Sequence, residues 1–248
     1  MLAACTGARI PHARALPAST APGLLMHFDG DLTEVLRGRS MAGDVADLST
    51  VAPTFGSGAL ARTYGTGSSL TTTQYTEDFS FGTGPFTVAF WVRFEDYWNG
   101  DIARLETEGG DPLWGLWVGA GEGRLLQWQN YIVPDGEYTT YSRLRAYWSP
   151  DVGSAGTPSA SAMVLLSRDD AGVLRFFLDG VLLGSMTDAT DYSAAGWGQQ
   201  PHHLVICDTT NDAGGTGHID DLLILPGVCL YDTAFTPPTA PFALSDWA

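Results

Sequence analysis

Charge is scarce in this chain, and basic charge is the scarcest. Only 16% of its 248 residues are Asp, Glu, Lys or Arg, and 12 basic residues stand against 28 acidic ones, a formal net charge of −16. A surface of that sign repels phosphate backbones, which excludes nucleic acid as a natural partner; it suits solubility, a cation or a basic partner. Cysteine is nearly absent too. Cys5, Cys207 and Cys229 form an odd, widely spaced set with no CxxC and no Cys/His ligand spacing, so neither a disulfide framework nor a zinc site is expected. Cys207 and Cys229 lie in apolar, strand-like runs and read as buried free thiols. No run approaches the ~18 apolar residues of a membrane span, so membrane insertion is not expected. Nor does any stretch carry a convincing helical period.

What remains is glycine, proline and alternation. The 30 Gly and 14 Pro punctuate the chain into short segments, while 44% hydrophobic residues suffice for a substantial core. That combination predicts one large all-β domain of many short strands joined by tight turns. Residues 1–22, "MLAACTGARIPHARALPASTAP", have no regular period and are spaced by Pro11, Pro17 and Pro22. They read as an extended N-terminal arm of the kind a partner orders, with residues 23–248 as the domain. Leu2-Ala3-Ala4-Cys5 matches the box that precedes a lipidated cysteine, but the basic and apolar regions that such a signal needs ahead of it are missing. Lipidation is not expected.

The strongest strand is "PFTVAFWVRF". Phe86, Val88, Phe90, Val92 and Phe94 recur at period two and form one apolar face, which places the strand centrally over the core. Trp91, on the opposite face, implies that this side is partly covered as well. "SASAMVLLSRDDAGVLRFFLDGVLLGSMT" reads as three strands with turns at Asp170-Ala171-Gly172 and Asp179-Gly180, the second a pair that accepts positive φ cheaply. "PLWGLWVGA", "GRLLQWQNYIV", "HHLVICDT" and "HIDDLLIL" bring the total to roughly ten to thirteen strands, which implies two packed antiparallel sheets.

Four landmarks in order then carry a family resemblance: "LLMHFDG", "FGTGPFTVAFWVRF", "GVLRFFLDGVLLGS" and the closing "GHIDDLLILPGVCLYDTAFTPPTAPF". The chain resembles the concanavalin A-like lectin/glucanase jelly roll in its laminin-G-like (LamG) branch, in the version found in bacteriophage structural proteins. The resemblance implies an all-β, two-sheet antiparallel jelly-roll sandwich in which the first and last strands lie side by side. It also implies a virion setting: a non-enzymatic capsid-decoration, head-fibre or tail-associated protein, a homo-oligomer docked onto other virion proteins through its arm. Reduced cysteines suit assembly in a bacterial cytoplasm. One departure stands out: where the family usually has a Gly-x-Trp-His-type motif, this chain has "PSASAMVLLSRDD", so a shared binding site at that edge is not carried over.

Three chemistries are open to these residues. Calcium, which LamG-like domains often bind through carboxylates and carbonyls, would use Asp29, Asp220 and Asp221, brought near each other by neighbouring first and last strands. The alternative is that these aspartates accept backbone hydrogen bonds at turns. Carbohydrate binding through stacked rings would use Trp128, Tyr131, Tyr138, Tyr141, Tyr147 and Trp148, a cluster that also suits a subunit interface or the core; host-surface glycans are the implied ligand. Glycoside hydrolysis needs a pair of flanking carboxylates. The nearest approach to one, Glu106 and Glu108, runs straight into Gly109-Gly110-Asp111-Pro112 and reads as a turn displaying acids to water. Adjacent His202 and His203 would face opposite sides of a strand and make a poor metal chelate.

Overall fold

The structure, a computed structural model, describes residues 23–43, 48–51, 53–62, 69–72, 78–95, 100–107, 112–121, 123–132, 139–148, 160–193, 202–207 and 216–243. The arm expected over residues 1–22 lies outside these. The described residues form fifteen strands and no helix, arranged as two antiparallel sheets of a jelly-roll sandwich. The first sheet contains β1 (Leu24–Met26), β3 (Leu48–Ser49), β4 (Ala59–Arg62), β6 (Phe86–Phe94), β11 (Ala162–Arg168), β12 (Val173–Leu178), β13 (Val181–Thr187) and β15 (Gly217–Pro226). The second contains β2 (Met41–Ala42), β5 (Leu70–Thr72), β7 (Gly100–Thr107), β8 (Pro112–Gly121), β9 (Gly123–Ile132), β10 (Thr139–Trp148) and β14 (His202–Ile206). The first sheet runs in the order β13-β12-β11-β6-β15-β4-β3, with β1 also on β15; the second runs β10-β9-β8-β7-β14-β5-β2.

Alternation decides which face meets the core. Phe86, Val88, Phe90, Val92 and Phe94 of β6 are all buried, and β6 sits between β11 and β15 as its apolar stripe requires. Trp114, Leu116 and Val118 of β8, with Leu126 and Trp128 of β9, meet them from the second sheet. At the centre is a stack of rings: Phe81 lies 4.2 Å from Phe86 and 4.9 Å from Trp114, and Trp114 lies 5.2 Å from Trp128.

The outer face of the first sheet is not left to water. Beyond the turn at Gly227, residues 228–243 cross that face as a strap in no strand. Val228, Leu230 and Phe242 are buried there against Leu25, Ala89, Met163, Leu165, Phe177, Leu223 and Leu225, with Trp91, Tyr231 and Phe235 packed alongside. The strap's polar backbone is met mostly by side chains: Thr87 Oγ1 donates to the Val228 carbonyl and accepts from Leu230 N, and Ser167 Oγ donates to the Tyr231 carbonyl. Phe235 N donates to the Gly180 carbonyl. The covering implied by Trp91 is therefore supplied by the chain's own C-terminal segment. Pro237, Pro238 and Pro241 keep that segment out of the ladder.

The turn beneath the strap leaves no room for a side chain. Asp179 and Gly180 have φ of 47° and 77°, and a Cβ on Gly180 would lie 1.9 Å from the Phe235 carbonyl oxygen. Gly180→Ala is expected to lose roughly 1–2 kcal/mol to the left-handed backbone alone and to push the strap outward besides. Limited proteolysis should then cut within 228–243 in the variant under conditions that leave the wild type whole.

Candidate functional site

Two regions hold the residues singled out from the sequence. The first is the seam between β1 and β15, which pair as predicted, with Leu24 opposite Ile224 and Met26 opposite Leu222. On that edge β15 changes neighbour, from β4 at Gly217–Ile219 to β1 at Leu222–Ile224, and its register with β6 shifts between Asp220 and Leu223. Asp221 takes a φ of 51° there, a conformation Asp tolerates better than most residues. The two neighbouring carboxylates then tie separate segments to the seam. Asp220 accepts from Thr54 N and Phe55 N at 2.7 and 2.9 Å. Asp221 accepts from Phe242 N at 2.6 Å, anchoring the end of the strap, and pairs with His27 Nδ1 at 2.5 Å. Asp29, exposed, accepts from Ser57 N and Gly58 N. Each aspartate thus serves backbone N–H groups, and among the described residues no three His, Cys, Asp or Glu side chains form a group that could hold a metal ion. This arrangement does not fit a calcium site.

Two groups of the seam are displaced from their ordinary pKa values. Burial pushes the Asp220 carboxyl up to about 6, against the opposing pull of its hydrogen bonds from Phe55 and Thr54. The hydrogen bond to Asp221 raises His27, with burial opposing it. A group whose pKa is raised on folding binds its proton more tightly in the folded state, so its contribution is present at low pH and fades as pH rises through the folded value. Asp220→Asn keeps an oxygen for Thr54 N and Phe55 N but removes the titration. The melting temperature of the wild type relative to this variant should therefore fall between pH 4 and pH 6.5, as followed by circular dichroism; a flat difference would contradict the assignment.

The second region is the outer face of the second sheet. Across β10, β9, β8 and β7, Arg145, Gln127, Trp117 and Asp101 stand in one cross-strand row. In the next row, Tyr147 stands opposite Leu125, and Leu125 opposite Gly119. Trp114, Leu116 and Val118 turn inward, so Trp117 turns outward, and its ring lies across Gly119: a Cβ there would come within 2.1 Å of it. Tyr147 is 68% exposed. Trp117, half-buried, and Tyr147 thus stand on strands two apart, about 10 Å at ~4.8 Å per strand, with Leu125 between them and exposed Arg145 beside them, while Gln127 of the same row is buried. Flat apolar faces flanked by directional polar groups can stack against a sugar ring and hydrogen-bond its hydroxyls.

Farther along this face the charges are paired with one another. Arg104 donates through Nε to Glu106 at 2.6 Å and through Nη1 to Asp101 at 3.1 Å, and His203 Nε2 lies 3.1 Å from the other Glu106 oxygen. The expectation of an exposed turn at Glu106 is corrected: β7 continues to Thr107 because β14 pairs with it there, and Glu106 is buried. Glu108 lies outside the described residues.

Of the six predicted aromatics, Tyr147 is on this face. Trp128 is a correction: it points into the core, fully buried, and its Nε1 donates to the Tyr192 hydroxyl at 2.8 Å. A ring there meets protein on every side and cannot meet a ligand. Tyr131, Tyr141 and Trp148 have their backbones in β9 and β10, but their side chains, and all of Tyr138, lie outside the described residues. Trp117 was missed, although the alternation of Trp114, Leu116 and Val118 already assigned it to the other face.

No protein-family model matches the chain, and no curated protein does. Solved structures do. The binding domain of botulinum neurotoxin serotype D is 14% identical with a TM-score of 0.55 over 92% of this chain, and the botulinum neurotoxin type G receptor-binding domain is 15% identical with 0.53 over 92%. The binding domain of Paraclostridial Mosquitocidal Protein 1 is 10% identical with 0.57 over 93%. The chain spans about half the length of each, between 49% and 51%. At these identities the likeness is one of fold, the two-sheet β-sandwich.

Proposed function

We propose that the chain is a non-enzymatic recognition module of a bacteriophage particle, a virion structural protein whose jelly roll binds host-surface glycan on the outer face of its second sheet. The observation that carries the reading is the asymmetry of the two outer faces. One is sealed by the chain's own strap; the other carries exposed Tyr147 and Arg145 on β10 and half-buried Trp117 on β8, with Gln127 buried between them. Support for glycan as ligand comes also from fold relatives that are receptor-binding domains, one of them a botulinum serotype D domain in complex with N-acetylneuraminic acid. A binding role without catalysis agrees with Glu106, whose oxygens are already engaged by Arg104 and His203 where a hydrolase needs two carboxylates poised about a sugar bond.

The virion setting rests on the sequence resemblance, with the arm of residues 1–22 as the anchor to other virion proteins. Deleting residues 1–22 should leave glycan binding and melting temperature intact while removing the protein from purified particles. Incorporation that survives the deletion would reject the arm as anchor. Release of reducing sugar from host polysaccharide, lost in Glu106→Gln, would reject the non-enzymatic reading.

A further inference from the structure

We infer that Gly119 is the positioning residue of the second sheet's outer face: its missing side chain lets the Trp117 indole share one cross-strand row with Leu125 and Tyr147, a strip on which glycan lies across the strands. The glycan half of this inference rests on the reading above. Along β8, Trp114, Leu116 and Val118 turn inward, so residues 115, 117 and 119 face outward. The row of residue 117 is that of Gln127 and Arg145. The indole does not stay in it. A Cβ on Gly119 would lie 2.1 Å from both Cη2 and Cζ3 of Trp117 and 3.2 Å from Cε3. The six-membered ring therefore occupies the space that any other side chain at 119 would fill, one row farther along the strand.

That row is the apolar one. Gly119 stands opposite Leu125, and Leu125 opposite Tyr147. Directly opposed residues on one face hold their Cβ atoms about 4.5–5.5 Å apart, so a ring in the place of a side chain at 119 is the cross-strand neighbour of Leu125. Indole, isobutyl and phenol groups then make one strip across β8, β9 and β10, while Gln127 and Arg145 keep to the row beside it. Leu125 is half-buried and Tyr147 exposed, so the strip opens toward β10. A sugar chain fits it lengthwise, with C–H faces on the rings and hydroxyls toward Arg145.

The backbone does not ask for this glycine. Its φ lies outside the left-handed region, and the three atoms nearest an added Cβ all belong to the Trp117 ring. Alanine at 119 is thus tolerated by the strand and felt by the indole, which must turn back toward the row of Gln127. The strip would then be broken at its β8 end.

The test is a double-mutant cycle on host cell-surface polysaccharide with Gly119→Ala, Trp117→Ala and the two combined. Gly119→Ala should keep the wild-type melting temperature yet lose as much affinity as Trp117→Ala, at least about threefold for one stacked ring. The combined variant should lose no more than Trp117→Ala alone, because Gly119 acts only through the indole. A ligand-free readout accompanies the cycle: by methyl NMR, the ring-current shifts of the Leu125 methyls should change in Gly119→Ala as they do in Trp117→Ala. Additive losses, a Gly119→Ala variant that binds as wild type, or Leu125 methyls that ignore both substitutions would overturn the inference. A wild type that binds no glycan, with the Leu125 shifts as expected, would leave the placement of the indole standing and remove the glycan reading alone.

Discussion

Trp128→Ala should lower the urea midpoint steeply, while Tyr147→Ala should leave it unchanged. Both residues belong to the aromatic-rich segment of β9 and β10, and the difference lies in what surrounds each. Trp128 is fully buried, 5.2 Å from Trp114 and 5.3 Å from Phe86, with Tyr192 edge-on at 5.5 Å. Truncating a packed Trp to Ala costs about 3–5 kcal/mol, against a total stability of about 5–15 kcal/mol. The loss is compounded at Tyr192, whose hydroxyl accepts from Trp128 and donates to Asp188. Trp128→Phe keeps part of the ring contacts but loses the N–H and the larger area of the indole, so its cost should lie between those of wild type and Trp128→Ala. Urea denaturation should rank the variants as wild type equal to Tyr147→Ala, then Trp128→Phe, then Trp128→Ala.

Arg168→Met is the second large effect, although a flexible side chain of similar length replaces the original. Arg168 is wholly buried on β11. Its guanidinium donates to the Gly84 carbonyl through Nε, to Gly82 and Gly84 through Nη2 and to Thr190 through Nη1, all within 2.8 Å. It lies 5.1 Å from the ring centroids of Phe86 and Tyr192. Burial pulls its pKa down from the usual arginine value, yet the charge is kept because carbonyl dipoles and two ring faces replace water. Removing it strips the Gly84 and Thr190 carbonyls of these donors, while Gly82 keeps its bond from Tyr192 N, at about 1–3 kcal/mol for each buried group left unpaired. Lysine cannot span three acceptors with a planar fork, so Arg168→Lys should fare little better. Arg175→Met, which removes a partly exposed pair with Asp169, should cost at most about 1 kcal/mol. Chemical denaturation of the three variants together separates a buried hub from a surface ion pair.

The sequence was most legible where one face of a strand is apolar and the other is not. β6, the β11–β12–β13 meander with its Asp179-Gly180 turn, and the pairing of β1 with β15 all follow from alternation, turn chemistry or family resemblance, and all are present. It was least legible where both faces carry rings. In β8 and β9, Trp114 and Trp128 point in and Trp117 points out, and composition alone treats the three alike. Alternation sorts them only once the phase is fixed by Leu116, Val118 and Leu126. Glu106 was misjudged for a different reason: the glycines after it signal a turn, but the pairing of β14 that extends β7 is a long-range contact. The prolines of the C-terminal segment showed that it could not be an interior strand. That it seals the first sheet depends on side chains from five strands meeting it, which no local pattern records.

Glycan binding by the outer face of the second sheet is tested most directly by retention of wild type and Trp117→Ala/Tyr147→Ala on an array that includes host cell-surface polysaccharides. Wild type should bind at least one class of glycan, and the double variant should lose at least about tenfold, a change of roughly 1.4 kcal/mol, with an unaltered melting temperature. A folded double variant that binds as tightly as wild type, or a wild type that binds no glycan at all, would contradict it.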